Sequence, residues 1–146
     1  MDEYRELMRY LHRAALLSER AGERRFTERI GIGRTQFLVL RTISDAAETP
    51  SQQAIADLLS LTKGAVSRHV ANARREGWLT IGSSPVSRRE NALELTSAGR
   101  ALVERGRAVQ VEYEELSRPH LSKRDVVTTG RTLKTLCELL EQEERR

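Results

Sequence analysis

The stretch SQQAIADLLSLTKGAVSRHVANARREGWL, residues 51–79, decides how the rest of the chain is read. Ser51 follows Pro50, which is disfavoured inside a helix, and serine accepts hydrogen bonds from free N–H groups at a helix start. A short helix over Ser51–Leu59 then presents Ile55, Leu58 and Leu59, with the small Ala54 and Ala56 leaving room for a neighbour. Ser60-Leu61-Thr62 breaks the pattern. Thr62 caps a second helix from Lys63 to about Glu76, closed by Gly77, a residue that tolerates the left-handed backbone of a helix end. Val66, Val70 and Ala73 fall on one face, and Gly64, Ser67, Arg68, Ala71, Asn72 and Arg75 lie on or beside the other.

Working outward, Trp78-Leu79-Thr80-Ile81 reads as a short strand and Gly82-Ser83-Ser84-Pro85 as a turn. The alternation over Asn91–Leu95 supplies a returning strand, so residues 79–95 form a hairpin with its tip near Pro85–Glu90. Two short helices, a three-residue turn and a hairpin make a helix-turn-helix with a wing. Upstream, the spacing predicts a long helix over 3–29, interrupted by Gly31 and Gly33, then a helix over Arg34–Ala47. Downstream, Thr96 caps a helix over Ser97 to about Ser117, Pro119 ends it, and Ser122 caps a last helix over Lys123–Glu144. The terminal helices carry more apolar surface than a thin domain can hide, and association of two chains through them is the economical solution.

Charge singles out the same region. The chain has 146 residues and a net charge of +4. Residues 1–61 balance nine basic against nine acidic side chains, and residues 90–146 balance ten against eleven. The intervening window holds Lys63, Arg68, Arg74, Arg75, Arg88 and Arg89 against Glu76 alone, a balance of +5. Such a window attracts polyanions by steering and counterion release. The bland alternative is a solvated basic face.

Composition excludes other classes. With 32% charged and 38% hydrophobic residues the chain can bury a core, so global disorder is not expected. The single cysteine, Cys137, forms no intramolecular disulfide and fits a reducing compartment. The start lacks the order of a signal peptide and no apolar run approaches 18 residues, so the expected location is the cytoplasm. No nucleophile elbow, P-loop or paired-carboxylate setting points to an enzyme. His12 and His120 lack a His or Cys at i+3 or i+4, and no metal or cofactor is expected. His69, beside Val70, reads as packed or phosphate-contacting, and Trp78 as a core residue closing the wing onto the helices.

The chain resembles the MarR family of winged-helix transcriptional regulators over nearly its whole length. The resemblance is carried by TQFLVLRTI (35–43), AIADLLSLTKGAVSRHVANARREGWL (54–79) and SRRENALELTSAGRALV (87–103), with helical termini in the matching order. It implies a mainly α fold with a small β-hairpin wing. An N-terminal helix (1–33) and C-terminal helices (96–146) would form the dimerisation region around a DNA-binding winged helix-turn-helix (34–95). It further implies a homodimeric, ligand-responsive, sequence-specific DNA-binding repressor acting on double-stranded DNA. The alternatives are a winged-helix protein-interaction module and an architectural binder of low specificity.

Carried over position by position, the resemblance makes Thr62–Arg75 the recognition helix, with Thr62, Lys63, Gly64, Ser67, Arg68 and Asn72 facing DNA. Arg68 is the strongest candidate, since a guanidinium can take guanine O6 and N7 together. Arg89 matches the family's minor-groove wing arginine, and Arg88 is expected to meet phosphate. Ser87 and Ser84 stand where the family often has acids, and Gly64-Ala65 where it often has hydroxyls. The resemblance also implies an aromatic effector between the terminal helices and the DNA-binding lobe. Tyr10, His12, Arg13, Phe37 and Arg41 are the candidates to line its site, with Tyr4 and Phe26, and core packing explains the aromatics equally well. Some relatives sense oxidants through a thiol near the first helix. Cys137 lies instead on the apolar side of the last helix and reads as an interface residue.

Overall fold

A computed structural model describes residues 2–83 and 91–146. Its helices are α1 (Glu3–Ile30), α2 (Arg34–Asp45), α3 (Gln52–Leu59), α4 (Lys63–Arg75), α5 (Ser97–Glu115) and α6 (Lys123–Glu144), and its strands β1 (Leu79–Ser83) and β2 (Asn91–Leu95). The chain divides into two compact units, one running through Gln110 and the other Val111–Arg146.

In the first unit the helix ends follow the local chemistry of the sequence. Asp2 accepts a hydrogen bond from Tyr4 N at 3.1 Å, Ser51 Oγ from Ala54 N at 3.0 Å, and Thr62 Oγ1 from Ala65 N at 3.1 Å. Gly31 and Gly77 end α1 and α4 at φ 76° and 77°, the left-handed region open to glycine. The close of α4 is a Schellman arrangement, in which Gly77 N donates to Arg74 O at 3.1 Å and Trp78 N to Ala73 O at 2.9 Å. Trp78 is therefore used to finish α4, and β1 starts one residue later than the sequence suggests.

Phe26, Phe37, Leu40, Ile55, Val66 and Leu79 are among the largest fully buried side chains. Each contributes about 1.5–3 kcal/mol of transfer free energy relative to exposure. The Phe26 and Phe37 rings lie 4.7 Å apart, which fastens the C-terminal part of α1 to α2. In the hairpin Leu79 pairs with Leu95 and Ile81 with Leu93, so alternate residues face the helices.

Gly99 and Gly106 do not interrupt α5. A Cβ on Gly99 would collide with the Trp78 carbonyl, and one on Gly106 with the Phe37 ring. Both glycines are there for close approach. The end of α2 is tied down by Asp45, which pairs with Arg107 of α5 and lies 3.9 Å from Arg41. The helix stops there, two residues short of Ala47, with Ala46 extended.

In the second unit α5 ends at Glu115, two residues before the expected Ser117, and a 3-10 turn over Arg118–His120 carries Pro119. Ser122 Oγ caps α6 by accepting from Asp125 N at 3.1 Å. No residue of α6 is buried, and Val126, Val127, Leu139, Leu140 and Cys137 are all exposed on the single chain.

Candidate nucleic-acid interface

The second helix of the helix-turn-helix is presented by its buried face. Val66, Val70 and Ala73 are fully enclosed, at most 2% exposed, and this fixes which side of α4 faces outward. Thr62, Lys63, Gly64, Ser67 and Arg68 are exposed there. The first turn contains no acidic residue, so the partial positive charge of the helix N-terminus adds to that of Lys63. Among the described residues no carboxylate pairs with Lys63 or Arg68. The turn into α4 is tight: Ser60 takes φ 53°, and Leu61 N donates to Ala56 O at 2.9 Å.

Asn72 is placed differently. It is half-buried and its Nδ2 donates to Gln36 Oε1 at 3.1 Å, while Arg75 donates to its Oδ1. His69 Nδ1 lies 3.1 Å from the same Gln36 oxygen, and Gln36 Nε2 donates to His69 O at 3.2 Å. Burial holds the His69 imidazole below its ordinary titration range, the neighbouring Arg68 pushes the same way, and Glu23 opposes them. Gln36 was not singled out by sequence, because an uncharged residue on a mostly apolar helix carries no pattern of its own.

At the base of the wing, Trp78 O accepts from Thr96 N at 3.0 Å, and Thr96 Oγ1 donates to Gly77 O at 2.7 Å. This ties the start of β1 to the start of α5. Arg88 and Arg89 lie outside the described residues.

Among the described residues, Tyr10, His12 and Arg13 lie apart from Phe37 and Arg41. Phe37 is buried in the core, and Arg41 Nη1 donates to Gln110 Oε1 at 2.5 Å. Tyr10, His12 and Arg13 are exposed on α1, and Tyr10 stands about 24 Å along that helix from Phe26. A large cavity among the described residues, about 1630 Å³, is bordered instead by Glu19, Glu23, Arg34, Leu61, Arg68 and Trp78. Glu23 also reaches across to α2, accepting from Arg34 N at 2.8 Å. It serves as the N-terminal acceptor that Gly33 cannot supply. No group of His, Cys, Asp or Glu suited to hold a metal occurs among the described residues, and none of their helices is long and apolar enough to cross a membrane.

Residues 30–90 match the model of the MarR family. Over that segment the chain is similar to the MarR family. Proteins of the MarR family are transcriptional regulators and not enzymes. Similar solved structures extend the likeness beyond the matched segment. A MarR/EmrR family transcriptional regulator from Acinetobacter sp. ADP1 is 24% identical, with a TM-score of 0.85 over 97% of this chain and 99% of that one. Sco3205, a MarR family regulator from Streptomyces coelicolor solved in complex with DNA, is 19% identical, with a TM-score of 0.87 over 96% and 92%. A point mutant of MarR from E. coli, complexed with operator DNA, is 26% identical, with a TM-score of 0.72 over 93% and 99%. No curated protein matches the chain. The mainly helical winged fold agrees with all three structures.

Proposed function

We propose that this protein is a MarR-family regulator, a sequence-specific repressor that binds double-stranded DNA as a homodimer. The observation that carries the reading is the outward face of α4, where Thr62, Lys63, Gly64, Ser67 and Arg68 are exposed opposite a fully buried seam. A narrow helix with an acid-free, cationic outer face suits the major groove, and flanking cations fix its register on phosphate. Arg68 reads a base, Lys63 and the N-terminus of α4 meet phosphate, and Asn72 borders the contact. Arg88 and Arg89 on the wing take phosphate and the minor groove. The solved complexes of Sco3205 and E. coli MarR with DNA support this partner.

The two chains associate through the terminal helices, residues 1–33 and 96–146, leaving 34–95 to engage DNA. Exposed Tyr4, Leu7 and Leu17 on α1 and Leu139 and Leu140 on α6 support this, because apolar side chains left in water favour burial against a second copy. Twofold pairing sets the two α4 helices about one helical turn apart, roughly 34 Å. An aromatic effector regulates binding through unequal affinity for the DNA-competent and other spacings. The site of action is the cytoplasm.

Fluorescence anisotropy over a salt series tests the reading. Arg68→Ala weakens binding to a selected duplex by about 1–3 kcal/mol and relaxes one base position, and Arg89→Ala weakens it by a similar amount. Unchanged affinity in both variants removes the assignment. Failure to bind duplex at low salt, with a monomeric elution volume, identifies a protein-interaction module. Equal affinity for all sequences identifies an architectural binder.

A further inference from the structure

We infer that Gln36 is a positioning residue for DNA reading: through His69 and Asn72 it pins the rotation of α4 against α2 and so sets where Ser67 and Arg68 point. The inference rests on the assignment of α4 as the reading helix. Gln36 is the one polar side chain among the described residues that is buried, at 5% exposure. A buried amide left without partners is costly, so its hydrogen bonds constrain whatever they reach. All three of its contacts reach α4: Nε2 donates to His69 O at 3.2 Å, and Oε1 faces Asn72 Nδ2 and His69 Nδ1, each at 3.1 Å.

The chemistry fixes more than proximity. Gln36 Oε1 can only accept, so His69 Nδ1 carries the proton and Nε2 is left as the bare nitrogen of the neutral ring. His69 and Asn72 stand three residues apart on one side of α4, so the amide grips the helix at two points one turn apart. Val66, Val70 and Ala73 pack without directional preference and tolerate small rotations. Hydrogen bonds do not, since they weaken steeply with angle and distance. A rotation of about 20° carries a group about 6 Å from the helix axis through about 2 Å, enough to break a bidentate contact to a base. Ser67 and Arg68 immediately precede His69, so the pinned turn is the one that presents them.

The pin predicts a loss of discrimination more than of attraction. In Gln36→Leu, preference for a duplex selected by the wild-type protein over a scrambled duplex falls about tenfold or more. Affinity for the scrambled duplex, set by phosphate contacts, changes less than about twofold. Nitrogen-15 NMR of His69 reads the pin directly: the Nδ1–H tautomer dominates in the wild type and gives way to a mixture in the variant. A folded Gln36→Leu protein with undiminished preference overturns the inference. If that variant does not fold, the wild-type spectrum alone decides, and a dominant Nε2–H tautomer overturns it. A wild-type protein without preference for any duplex defeats the functional reading, and the tautomer still tests the pin.

Discussion

Replacing Gly99 with alanine probes the joint between α5 and the wing. The added methyl would sit against the carbonyl oxygen of Trp78, a backbone atom with little freedom to retreat. That oxygen accepts from Thr96 N at 3.0 Å, Trp78 N donates to Ala73 O at 2.9 Å, and Thr96 Oγ1 donates to Gly77 O at 2.7 Å. Relief requires the start of β1 to shift and at least one of these bonds to stretch, worth about 1 kcal/mol net. Overpacking adds about 1–3 kcal/mol, and the better helix propensity of alanine returns about 0.5 kcal/mol near a helix start. The net loss is about 1.5–3.5 kcal/mol, or about 3–14 °C in Tm for a domain of this size. Gly64→Ala is the control, because no atom lies within 4 Å of its added methyl and a gain of about 0.5 kcal/mol is expected. Both are measured by urea and thermal unfolding followed by circular dichroism at one protomer concentration. A Gly99→Ala protein as stable as the wild type would refute the close approach of α5 to the wing base.

Three further outcomes follow from the first unit. Glu23→Ala removes the acceptor at the start of α2 and costs about 1 kcal/mol in urea unfolding, while Glu23→Gln, which keeps an oxygen there, costs less. Ser60→Gly relieves a left-handed residue between α3 and α4 and stabilises by up to about 1 kcal/mol; a loss of stability would show that Ser60 contributes more than its backbone angle. His69 titrates below its value in the unfolded chain, about 6.5, so the unfolded state binds the extra proton first. Its contribution is present above that value and is lost as pH falls through it toward the folded pKa. Stability of the wild type therefore drops relative to His69→Gln as pH falls below about 6.5, and parallel pH profiles of the two proteins would exclude this role.

Much of the fold is legible locally. Asp2, Ser51, Thr62 and Ser122 act as caps on N–H groups two or three residues ahead, and Gly31 and Gly77 supply the left-handed backbone where two helices end. The apolar spacing of Val66, Val70 and Ala73 likewise identified the inner face of α4, because helical periodicity is a property of neighbouring residues. The exposed cationic set from Lys63 to Arg68 was legible for the same reason. Trp78 read as a strand residue, yet its N–H closes α4 by bonding five residues back.

Other placements depend on partners distant in the chain. Asn72 has the spacing of an outward residue but is turned toward Gln36, 36 positions earlier. Phe37 fits an aromatic ligand wall by type, yet the Phe26 ring beside it makes it core. Glu23 caps a helix that begins 11 residues later, and Gly99 and Gly106 look like weak points in α5 until the groups pressed against them are known. The sequence by itself determined the elements, most of their capped ends and the sign of the charge on α4, since those follow from backbone chemistry within a turn or two. Only the tertiary structure decided which polar groups are held inside and how α4 is fastened, because a hydrogen bond across dozens of residues exists only once packing has brought its two ends together.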